Sequence, residues 1–166
     1  MEKQKLNICL IDKKDFHNLE GNDLDTRTVY EFYIDTDEYG EMSWYVEYYA
    51  YEDYRFELRN PEEILIKDEK VDFIITYPLS VNVKITFTNK GGFRRIDIVR
   101  YLYEGYKYIY DEETKAVGNP GTYERLYNRR ESHGPYGIWG HYMNDLRLEG
   151  MMYFADKKQV QFLIGS

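Results

Sequence analysis

The 166-residue chain has one cysteine, Cys9, so it has no internal disulfide and does not follow the paired framework of small secreted domains. It has no apolar run near the ~20 residues that a membrane-spanning helix needs. Its start, Met1-Glu2-Lys3-Gln4-Lys5, leads into a short alternating segment and not into a signal-peptide core. These absences point to a reducing, intracellular setting, with no membrane and no secretion. Basic charge is also scarce where it would matter for nucleic acid. Residues 1–90 carry 11 Lys+Arg against 20 Asp+Glu, while residues 91–166 carry 11 against 10. The acidic half repels phosphate backbones, so nucleic acid is an unlikely partner. Histidine is limited to three and tryptophan to two.

What the chain has in quantity is tyrosine, 19 residues within a 43% apolar composition. A tyrosine ring buries apolar area as long as its hydroxyl reaches water or a partner. The length fits one domain, residues 1–166, with a core of its own. Cys9, inside the apolar run of residues 6–11, is expected to be a small buried hydrophobe.

Alternation with period two marks strands. It runs through residues 28–36, and through Trp44, Val46, Tyr48 and Ala50, resuming at Tyr54, Phe56 and Leu58. A turn near residues 51–53 would fold that stretch into a hairpin. Residues 72–77 and 81–88 flank Pro78, and residues 146–154 and 159–164 flank Ala155-Asp156-Lys157-Lys158, a second hairpin. A polar loop is expected over residues 12–25. The period changes after Gly91-Gly92: Ile98, Val99, Leu102, Tyr103, Tyr106, Ile109 and Tyr110 share one side of a helix over residues 93–113. Gly105 weakens that helix by about 1 kcal/mol relative to alanine and suits a close approach to the sheet. The expected fold is α+β: a mainly antiparallel, twisted sheet of about six to eight strands with one long helix on one face.

Residues 114–145 have no sustained period apart from a short helix expected over residues 123–130, and seven glycines and prolines punctuate them. A long irregular segment in a compact domain is a place to look for function. It contains Arg129, Arg130, Tyr136 and Trp139, the candidate binding residues, of the kind enriched at protein interfaces. In a purely structural alternative, Ile138 and Trp139 plug the loop into the core and His141 bonds a backbone carbonyl. Burial of Trp139 is the expectation. His133, His141 and Asp145 are the candidates for catalysis, but no His-x-x-x-His or Cys-x-x-Cys spacing accompanies them, so no metal and no cofactor is assigned. Ser132 has no Gly-x-Ser-x-Gly elbow around it. Glu62-Glu63 and Glu112-Glu113 read as solvated charge. Gly91-Gly92, with Arg94 and Arg95 after it, has the context of a phosphate loop without its pattern. Tyr123, Tyr127, Tyr136 and Trp139 beside Arg125, Arg129 and Arg130 could stack single-stranded bases, against the acidic balance of the whole.

One resemblance stands beside this reading. Arg95-Ile96-Asp97-Ile98, Tyr108-Ile109-Tyr110-Asp111-Glu112-Glu113-Thr114, Tyr127-Asn128-Arg129, Tyr136-Gly137-Ile138-Trp139-Gly140-His141, Asp145-Leu146, Leu148-Glu149-Gly150 and Ile164-Gly165-Ser166 resemble a group of proteins from large DNA viruses of amoebae, of the mimivirus and marseillevirus kind. The resemblance covers about residues 93–166 and implies a viral setting, with no activity attached. Tyr142 stands where that group places an acidic residue, so it implies no catalytic carboxylate there.

The function these readings favour is a non-enzymatic binding or structural protein that meets a protein partner through the 114–145 segment. The alternative is an enzyme centred on His133, His141 and Asp145. A third class is an acidic domain that neutralises a basic partner by charge complementarity.

Overall fold

The computed structural model describes residues 6–11, 27–36 and 38–166, so the loop expected over residues 12–25 lies outside the described residues. Ten strands and two α-helices follow in the order β1 (Asn7–Ile11), β2 (Arg27–Tyr30), β3 (Tyr33–Thr36), β4 (Gly40–Tyr45), α1 (Glu52–Glu57), β5 (Ile64–Ile66), β6 (Lys70–Ile75), β7 (Asn82–Thr88), β8 (Phe93–Arg94), α2 (Arg95–Val117), β9 (Arg147–Phe154) and β10 (Gln159–Gly165). Short 3-10 turns occupy Val46–Ala50 and Met143–Asp145.

Eight strands form one sheet in the order β1-β7-β6-β10-β9-β4-β3, with β2 also on β9. The far edge of β9 is shared: Met151 to Phe154 pair with β2, and Arg147 and Leu148 with β4. Its pairings are antiparallel except one. β10 runs parallel to β6, with Val160 opposite Phe73, so the sheet is mixed and larger than a simple antiparallel one. The expected strands of the second half and the hairpin β9–β10 are present, the latter with an irregularity between Leu163 and Ile164.

The alternation of β7 turns Val83, Ile85 and Phe87 inward. Phe73 meets the Phe87 ring at 4.8 Å, and Tyr101 of α2 meets it at 4.7 Å. The helix therefore lies on this face of the sheet. Gly105 permits the approach, because a Cβ there would stand 2.9 Å from Ile85 Cδ1 and 3.3 Å from Ile75 Cδ1. The 23-residue helix starts where Asp97 Oδ2 accepts the Arg94 N–H at 2.9 Å, an N-terminal cap. It runs through residues 114–117, which carried no periodic signal.

Three expectations fail in the first half. Residues 46–58 are not a hairpin but a 3-10 turn followed by α1. The parity shared by Tyr54 and Phe56 faces water, with Phe56 80% exposed. Cys9 is exposed and not buried, because β1 stands at the end of the sheet order and, among the described residues, pairs with β7 alone. The basic pair at the start of α2 is internally neutralised. Arg94 binds Asp97 and Glu62, and Arg95 binds Glu63 at 2.6 Å and the Asn60 and Glu31 carbonyls. Both Glu62 and Glu63 are thus ion-paired, and no phosphate cradle remains there.

Candidate functional site

Helical spacing places Leu102, Tyr106, Ile109 and Glu113 along one buried stripe of α2. Three of these belong in a core. The fourth is a carboxylate with 0% exposure, where solvated charge was expected. A buried carboxylate is tolerated only when donors surround it, and here four do. Its Oε2 accepts the Ser132 hydroxyl at 2.6 Å, the Ile138 N–H at 3.2 Å and the Gly134 N–H at 3.3 Å, and its Oε1 accepts the Tyr136 N–H at 2.9 Å. Alternate amides of residues 134–138 therefore converge on one anion, as in a backbone nest. Burial by itself would raise the pKa of Glu113. The Ser132 hydroxyl and the amides of Tyr136, Ile138 and Gly134 outweigh it and hold the group below the ordinary carboxylate value.

A second buried charge supports the first. Arg129 donates to Ser132 Oγ at 3.2 Å and to the carbonyls of Ile138 and Arg130, each at 3.2 Å, and lies 5.5 Å from the Tyr110 ring. Ser132 thus bridges guanidinium and carboxylate. Gly134 has no room for a side chain, since a Cβ would stand 2.3 Å from Glu113 Oε1. The loop is also tied to the turn before β7. Ser80 Oγ donates to the Gly137 carbonyl at 2.7 Å, and the Trp139 N–H donates to Pro78 O at 3.0 Å. With four donors on it and no exposure, Glu113 is an anchor for the loop and not an acid or base open to a substrate.

This anchor places the residues singled out in the sequence. Arg129 and Tyr136 are buried in the loop base, so neither offers a binding surface. Arg130 is outside, its guanidinium 5.1 Å from the Tyr123 ring. Trp139, expected in the core, is 39% exposed. Ile138 takes the core position, with 0% exposure, and its neighbour lies outward. The indole lies edge-on to Tyr77 at 5.1 Å and 5.9 Å from His141, whose ring is 5.6 Å from Tyr77. His141 accepts through its own carbonyl, from the Tyr110 hydroxyl at 2.8 Å. Asp145 accepts the Tyr142 N–H at 3.1 Å and caps the 3-10 turn, while His133 is exposed. Among the described residues no three His, Cys, Asp or Glu side chains are grouped to hold a metal ion.

Beyond this base, residues 121–130 fold back on themselves through the bridge of Thr122 with Arg129. The Tyr123 N–H reaches Asn128 O at 2.8 Å, and the Arg130 N–H reaches Gly121 O at 2.9 Å. The helix expected over residues 123–130 is absent, because Arg125 (φ 71°) and Tyr127 (φ 57°) take the left-handed conformation that no right-handed helix accepts. At this tip Leu126 is 67% and Tyr127 88% exposed, beside exposed Tyr123.

A second surface had no counterpart in the sequence reading. Tyr45, Glu47, Tyr48, Tyr51, Tyr54 and Asn144 line a shallow cleft of about 390 Å³. Tyr48 and Tyr54, stacked at 4.1 Å, also wall a second cleft of about 610 Å³ with Asp35, Thr36, Glu38, Tyr39 and Glu57. Its signal was the density of tyrosines at positions 45, 48, 51 and 54, three residues apart, which the 3-10 turn and α1 bring to one side. Among the described residues, no helix is long and apolar enough to cross a membrane. Compared with known proteins, the chain matches no family model, no curated protein and no solved structure.

Proposed function

We propose that the protein is a binding module whose contact surface for a protein partner is the tip of the 121–130 loop. The observation that carries this is the pairing of a fully buried base with an exposed apolar tip. Glu113, Ser132 and Arg129 fix the base, while Leu126 and Tyr127 stand in water. Exposed apolar side chains on a rigid support form contacts at low ordering cost, and tyrosine is enriched among the residues that dominate interface energies. The left-handed backbone of Arg125 and Tyr127 adds to this reading. Non-glycine residues in that region cost of order 1 kcal/mol or more each and gather at functional positions. The resemblance of residues 93–166 to proteins of amoeba viruses supports an infected cell or a virion as the setting.

Photo-crosslinking tests the reading. A photoreactive amino acid at position 127, in cells expressing the protein, should give a discrete adduct with one partner that the same group at position 156 does not give. Equal labelling at both positions, or none at position 127, would overturn it.

A further inference from the structure

The two tyrosine clefts carry an inference that is independent of the loop tip. Their walls are aromatic faces and carboxylates: Tyr45, Tyr48, Tyr51 and Tyr54 with Glu47 on one side, and Tyr39 with Asp35, Glu38 and Glu57 on the other. Neither lining contains a lysine, arginine or histidine. Asp35 is bonded to Arg59, but Glu38, Glu47 and Glu57 have no ion-pair partner among the described residues. The face of a tyrosine ring is electron-rich and attracts cations, most strongly where neighbouring charges are negative. The chain already uses this chemistry at its own expense next to the clefts. Arg55 lies 4.8 Å over the Tyr49 ring with its buried Nε lacking any hydrogen-bond partner, and Arg59 lies 5.4 Å over Tyr33. Tyr51 meets Tyr54 edge-on at 89°, which sets two of the rings lining the first cleft at a right angle.

We infer that this pair of clefts receives lysine or arginine side chains from a basic segment of a partner protein. The long-range field agrees, since the chain carries a net charge of -8 and most of its acidic excess lies in residues 1–90. Such a field brings a basic partner to the surface, and the ring faces then select where its side chains seat. Burial raises the Tyr48 hydroxyl's pKa first, with Tyr54, Tyr45 and Glu57 adding to it. The Tyr48 ring is thus held in its neutral form.

The test is fluorescence titration with a labelled Arg-Gly repeat peptide at about 0.15 M salt, where distant charges are largely screened. Tyr51→Ala and Tyr54→Leu should each weaken binding about three- to five-fold, and together about tenfold, while Tyr54→Phe keeps parental affinity. Glu47→Gln with Glu57→Gln should weaken it, whereas Glu112→Gln with Asp156→Asn, the same charge change outside both the clefts and the loop tip, should stay within about twofold. Tyr51 is 52% exposed, while Tyr54 is 37% exposed and stacked on Tyr48, so each variant is melted beside the parent and titrated at a temperature where both are folded, which separates binding from folding. Equal losses from both charge pairs with neutral tyrosine variants would show plain attraction by net charge and overturn the site. Free arginine amide binding as tightly as the peptide would overturn the assignment to a polypeptide.

Discussion

Replacing Glu113 by alanine removes the single acceptor on which residues 132–138 converge. The Ser132 hydroxyl and the amides of Gly134, Tyr136 and Ile138 then lose their partner in a place that water does not reach. Each buried donor left unsatisfied costs about 1–3 kcal/mol. The four do not add in full, because the missing side chain leaves space for relaxation or a water. A loss of about 3–5 kcal/mol is expected, as when one member of a buried charged network is removed. For a chain of this size that lowers the melting temperature by about 6–20 °C. Urea unfolding of Glu113→Ala beside the parent measures it. The pH dependence isolates the charge. The folded pKa lies below the unfolded value near 4.3, so the contribution is complete above that value and is lost as the pH falls through the folded pKa. The difference in stability between parent and variant should therefore shrink as the pH is lowered from about 5 toward 3. A variant within about 1 kcal/mol of the parent, or a difference that does not change with pH, would refute the anchor.

Further predictions concern the loop that Glu113 anchors. Ser132→Ala, which breaks the bridge between Arg129 and Glu113, should cost about 1–3 kcal/mol in urea unfolding. In Gly134→Ala the new methyl must push the Glu113 carboxylate aside, and about 1–3 kcal/mol of destabilisation is expected by calorimetry. Trp139→Ala should cost roughly 2 kcal/mol, below the 3–5 of a fully buried aromatic, since part of its ring is already in water. A full core-sized loss would contradict the surface position.

The elements that were legible are those whose pattern is local. β7 alternates over seven residues, β6, β9 and β10 are apolar-rich runs bounded by turns, and α2 repeats over more than five turns. The misread stretch at residues 46–58 consists of a 3-10 turn and a six-residue helix, too short for a helical period to emerge, and its tyrosines happen to alternate. The acidic pair Glu52-Asp53, in the first turn of α1, was the available hint. Glu113 was misjudged because every donor it uses lies 19 to 25 residues further along the chain. Its place at i+4 from Ile109 and i+7 from Tyr106 on the buried stripe was the clue within the sequence. The parallel pairing of β10 with β6 joins segments nearly ninety residues apart, and no local pattern encodes it. Trp139 was misplaced because the sequence does not say which of two adjacent large apolar residues turns inward.

The most direct test of a fixed base carrying a free tip is residue-resolved hydrogen exchange of the intact protein. The amides of Tyr136 and Ile138, held on Glu113, should exchange only through global or near-global opening, and those of Leu126 and Tyr127 at rates within about a hundredfold of an unstructured chain. Equal protection at base and tip, or fast exchange at Tyr136 and Ile138, would contradict the account.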